Sequence, residues 1–146
     1  MDAVNPSTTS IGDVRLEVLS SYDCWQLVSA AGGPDGIAWV VWSGADGPAI
    51  VPVNYTVADG YVWFQTTPES RLAQACDSTV LVEVDHVDPA SRTGWSVVVT
   101  GAATCLGSGD DPGLLGDLQV WPRGTRQLLV RVEPSELTGR RLRRLG

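Results

Sequence analysis

Six short apolar segments, each closed by a tight-turn signal, restrict this chain to a small antiparallel β fold. Ile37–Ser43 (IAWVVWS) stops at Gly44-Ala45-Asp46-Gly47, and Ala49–Thr56 (AIVPVNYT) stops at Ala58-Asp59-Gly60. Tyr61–Thr66 (YVWFQT) follows at once, so these three segments form a meander. Thr79–Val87 (TVLVEVDHV), Gly94–Cys105 (GWSVVVTGAATC) and Gln127–Val132 (QLLVRV) complete the set, with Asp88-Pro89-Ala90-Ser91 as a turn between the first two. Even spacing and tight connections favour a six-stranded antiparallel β-barrel, because closing the sheet hides edges that such apolar strands would otherwise expose.

Two helical stretches interrupt the strands. Ser20 and Ser21 precede Asp23 as a capping signal, Cys24, Leu27, Val28 and Ala31 recur at helical spacing, and Gly32-Gly33 ends the run. Thr67-Pro68-Glu69-Ser70 predicts a second, short helix to about Ala75, with Pro68 in its first turn. The segment Gly107–Gly116 reads as a Gly/Asp-rich loop. At 146 residues the chain is one domain, expected over 15–142, with a loose lead-in over 1–14 and an arginine-rich tail over 143–146.

Composition removes several chemistries. All ten basic residues are arginines, so neither a Schiff-base lysine nor the lysine of a phosphate-binding loop exists. A net charge of −7 argues against nucleic-acid binding, and no apolar run reaches the ~18 residues of a membrane span. Residues 1–10 lack a basic start and an apolar core, so the expectation is a cytoplasmic protein in which Cys24, Cys76 and Cys105 are free thiols.

His86 is the only histidine, and the cysteine spacing matches no zinc pattern, so no metal site is expected. His86 is in phase with Val80, Val82 and Val84, which predicts a structural residue capping the barrel end by hydrogen bonds. Trp39, Trp63 and Trp95 lie on strands and read as core. The best local signal for an anion is TTPESR (66–71), where two threonine hydroxyls, Ser70, free amides at a helix opening and the Arg71 guanidinium converge. No catalytic acid, base or nucleophile stands out.

Four phrases carry a family resemblance: PVNY (52–55), FQTTPESRLA (64–73), VEVDHVDPASRTGWSVVVTGAA (82–103) and LVRVEPSELTGRR (129–141). Through them the chain resembles the pyridoxamine 5′-phosphate oxidase-like, FMN-binding split-barrel family, nearest its small nitroimidazole-reductase-like actinobacterial members. The resemblance implies a mainly β, six-stranded antiparallel split β-barrel with a few short helices, and a homodimer holding FMN at its interface. It implies that Val53 and Asn54 offer backbone groups to the flavin ring, with Tyr55 nearby, and that Thr66, Ser70 and Arg71 hold the phosphate. Trp95 and Ser96 would meet the cofactor from the partner side or the ring edge, and Trp121 would approach the neighbouring subunit's site. One departure is Ile37, at a position after Gly36 where many relatives carry a base.

The implied function is an FMN-dependent oxidoreductase that transfers a hydride to or from a small organic substrate. The flavin supplies the reactivity, which accords with the empty search for catalytic side chains. A deazaflavin-dependent reductase and a non-enzymatic binder of flavin or haem remain as alternatives.

Overall fold

The computed structural model describes residues 8–107 and 128–145. The loop expected over 107–116 and Trp121 lie outside the described residues, save Gly107. Eight strands, one α-helix and one short 3-10 helix make up the rest. In chain order they are β1 (Thr8–Ile11), β2 (Val14–Val18), α1 (Ser21–Ala31), β3 (Ile37–Gly44), β4 (Gly47–Ala58), β5 (Tyr61–Thr66), the 3-10 helix η1 (Arg71–Ala75), β6 (Thr79–Asp88), β7 (Thr93–Leu106) and β8 (Leu128–Arg144).

The six expected strands are β3 to β8, and they close on themselves. The sheet runs β8-β5-β4-β3-β6-β7, and β7 pairs back onto β8. All neighbours are antiparallel. The turns do what their residues predict: Gly47 takes φ +107°, and the Asp59-Gly60 pair joining β4 to β5 takes +53° and +80°. Both conformations suit glycine and aspartate in two-residue hairpins. Asp88 organises the β6–β7 turn, accepting from the Ser91 hydroxyl (2.8 Å) and the Ala90 amide (3.1 Å).

Two strands exceed the expected six. β1 and β2 form a hairpin that adds to the far end of β8, so the described residues hold eight strands, of which the expected six make the ring. The expected sixth strand is also longer: β8 continues through the arginine-rich end to Arg144, paired with β2. Arg143 bonds Glu17 (3.2 Å) and Arg144 lies 3.8 Å from Asp13.

The core follows the two-residue period of the strands. Ala38, Val40 and Trp42 of β3, Val80, Val82 and Val84 of β6, and Val97 and Val99 of β7 are buried inside the ring. Helix α1 covers the gap where β8 leaves β5. Its start is capped as expected, the Asp23 amide donating to Ser20 Oγ (3.1 Å), and Cys24 and Val28 one turn apart are fully buried. Gly139 of β8 permits that approach, since a Cβ there would lie 2.8 Å from Cys24 Sγ. Burial, reinforced by the Asp23 charge, pushes the Cys24 thiol pKa up. No helix among the described residues is long and apolar enough to cross a membrane.

Two sequence expectations fail here. Cys76 and Cys105 are joined in a disulfide, leaving Cys24 as the free thiol among the described cysteines. The cause is spatial: Asp77 donates to the Ala103 carbonyl and Ala103 to the Ser78 carbonyl, which brings the Cα atoms of the cysteines to 5.4 Å. His86 does not cap the barrel interior. β6 outruns the core after Val84, and His86 is exposed.

Candidate functional site

The outer face of β3 carries Ile37, Trp39 and Val41, because Ala38, Val40 and Trp42 point inward. Register extends this face sideways in rows. Val41 stands between Ile50 of β4 and Leu81 of β6, and Trp39 stands between Pro52 and Glu83. Ile37, Trp39, Ile50 and Leu81 are 53%, 41%, 59% and 39% exposed. A contiguous apolar sheet face of this kind marks a binding or pairing surface rather than scattered exposure.

Glu83 sits within that face, and its carboxyl pKa is pushed up to about 7. Burial is the main cause, followed by the hydrogen bond to Asp85 and that neighbour's charge. The unfolded chain ionises near the ordinary glutamate value of 4.5, while the fold keeps Glu83 protonated until about 7, so stability falls as pH rises through that interval. Glu83→Gln should therefore unfold at a higher urea midpoint than wild type at pH 7.5, with the difference fading by pH 4.5. A pH-independent difference between the two would show that Glu83 is not the titrating group.

The TTPESR turn departs from its expected form. A helix does not open at Pro68; η1 starts at Arg71 and has five residues, so it offers no helix-end anion site. The hydroxyls bond each other instead. Ser70 Oγ donates to the Thr67 carbonyl (2.8 Å), which leaves Thr66 Oγ1 as donor in its 2.6 Å contact with Ser70 Oγ. Leu72 and Ala75 anchor η1 in the core. Arg71 is exposed and makes no ion pair among the described residues.

The PVNY segment is split by the pleat. Val53 faces inward against the core, opposite Ala38. Asn54 Nδ2 donates to the carbonyls of Gly33 (2.8 Å) and Gly36 (2.7 Å), tying the loop between α1 and β3 to β4. Tyr55 is fully buried, and its hydroxyl donates to the Val28 carbonyl of α1 (2.7 Å). Burial alone holds its pKa well above the ordinary phenol value. Its side chain therefore braces the helix.

On β7, Trp95 turns inward and is partly buried, whereas Ser96 points outward and is exposed. Ser96 pairs with Asp85, six residues along β6 from Thr79, where the chain enters from η1. That is roughly 20 Å at the usual rise per residue. The structure thus joins Thr66 with Ser70, and sets Val53 and Asn54 beside the start of β3. Trp95 and Ser96 stand apart, at the far end of β6. Sequence reasoning placed Trp39 in the core and passed over Glu83. The alternation of β3 separates Trp39 from Val40 and Trp42 but does not say which set faces the interior.

A six-stranded ring with a hairpin on its longest strand and a helix over the opening is a split β-barrel. The family model for pyridoxamine 5′-phosphate oxidase matches residues 20–141, and the chain belongs to that family. It is 38% identical over 113 residues to an uncharacterized protein of Mycobacterium tuberculosis, covering 70% of this chain and 72% of the relative. Among solved structures it resembles a FAD-binding protein of Mycobacterium smegmatis (29% identity, TM-score 0.64), covering 88% of this chain and 99% of that one. A Corynebacterium glutamicum protein described as a candidate pyridoxamine 5′-phosphate oxidase matches at 26% identity and TM-score 0.68, over 94% and 99% of the two chains.

Proposed function

We propose that this chain is a flavin-binding oxidoreductase that works as a homodimer, with FMN lying where two copies meet. The carrying observation is the exposed apolar face around Trp39, in a fold whose 29%-identical relative binds FAD. A flat apolar sheet face, on a barrel that also carries an exposed arginine without an ion pair among the described residues, suits a planar ring joined to a phosphate. Bound there, the flavin would supply the two-electron chemistry, moving a hydride to or from a small organic substrate.

In this reading the chain's own residues bind and orient. The Val53 and Asn54 backbone borders the ring, Arg71 takes the phosphate beside Thr66 and Ser70, and Trp95 and Ser96 close the groove from the partner. The roughly 20 Å between Ser96 and the entry to β6 favours their acting on the site of the other copy. Ile37 adds apolar contact where a base would add charge, so the ring, more than the phosphate, gains from this face.

The absorption spectrum of protein purified without added cofactor tests the reading, together with its mass by light scattering. Flavin bands on a particle of twice the chain mass are expected. A haem or deazaflavin spectrum would overturn the cofactor, and a monomer would overturn the shared groove.

A further inference from the structure

β8 meets β5 only as far as Val132 and β2 only from Arg140, so among the described residues the stretch between has a strand on one side alone. A groove of about 450 Å³ opens there. Small-molecule sites occupy roughly 300–1,000 Å³, so the space fits a compact ligand. Its walls include Val18, Leu19, Val98 and Leu137, and its polar side chains are Ser96, Thr138 and Arg140. Register sets Arg140 between Val18 of β2 and Ser96 of β7, and Thr138 opposite Val98.

The charge of Arg140 is the unusual feature. The chain carries a net −7, yet this exposed arginine faces an apolar groove without a carboxylate partner among the described residues. Its neighbours Arg143 and Arg144 engage Glu17 and Asp13. Asp85, in the same row, lies two strands away, roughly 10 Å at the backbone. It is also engaged with Glu83. A guanidinium next to two hydroxyls and a short apolar wall is matched by a carboxylate on an apolar body.

We infer that this groove binds a small apolar monocarboxylate, with Arg140 on the carboxylate and the body against Val98 and Leu137. Naming that molecule as the substrate rests on the flavin reading; the binding site itself does not.

Calorimetric titration of the full chain with 3-phenylpropanoate and with 3-phenylpropanamide tests the inference. The carboxylate should bind at least tenfold tighter than the amide. Arg140→Gln should remove that preference, as should Thr138→Glu, which sets a like charge in the groove. Arg144→Gln, paired elsewhere, should leave it intact. Equal affinity for the two probes, binding of neither, or a preference that survives Arg140→Gln would overturn the site. Flavin absorbance recorded on the same samples keeps the two readings separate, since carboxylate preference in a colourless protein would retain the groove and remove the flavin.

Discussion

Reducing the Cys76–Cys105 bridge should cost the fold about 3–4 kcal/mol, the loop-closure entropy expected for this separation. The two cysteines are 29 residues apart in sequence, and the enclosed segment is most of β6 and β7. Backbone bonds from Asp77 to Ala103 and from Ala103 to Ser78 hold the same junction, so reduction should leave the native ladder in place. The effect then acts mainly on the unfolded chain, which regains the freedom that the cross-link removes. A midpoint lower by roughly 10 °C in a thiol reductant is expected for a chain of this size. Cys105→Ser should match the reduced wild type and ignore the reductant. An unchanged wild-type midpoint would show that the sulfurs are not bonded in solution.

Arg71→Ala should weaken FMN by at least about 2 kcal/mol, roughly thirtyfold, while changing riboflavin affinity far less. Around the turn, Thr66 directs its hydroxyl proton to Ser70 and Ser70 its own to the Thr67 carbonyl, and η1 is too short to add a helix-end field. Ile37 brings no charge. On the proposed reading the guanidinium of Arg71 would bear most of the phosphate attraction, and its rigid fork suits that group. Titrating both ligands into wild type and variant isolates the phosphate term. Equal losses for the two, or none for either, would place the phosphate away from this turn.

Much of the fold was legible because the relevant forces are local. The cap of α1 needed only Ser20 and Asp23 within one turn, and the hairpins needed glycine and aspartate where φ is positive. The missed strands have equally plain causes. β2 (VRLEV) is short and half polar, and β8 past Val132 carries Pro134, Gly139 and four arginines, residues that argue against strand in isolation. In the fold, Pro134 sits where the register between β7 and β8 shifts, at Thr100 and Gly101, and the four arginines pair along β2, Arg140 and Arg141 with β7 on their other side.

The candidate site was less legible. Resemblance supplied Val53, Asn54, Tyr55, Thr66, Ser70 and Arg71, but their side chains divide between scaffold and surface. Asn54 and Tyr55 brace the α1 end of the barrel, and Arg71 remains exposed. Glu83 looks like one more strand carboxylate until Trp39 is seen beside it.

By itself, the sequence determined six strands and their antiparallel sense, one capped helix and the absence of lysine chemistry, because periodicity, turn geometry and composition act over a few residues. Tertiary structure alone decided which strands meet to close the ring, the disulfide, and which face of β3 is wet. A period of two separates two faces of a strand without naming the inner one. That choice falls to ring closure, which brings together residues tens of positions apart, and it leaves Trp39 on the surface while burying Tyr55.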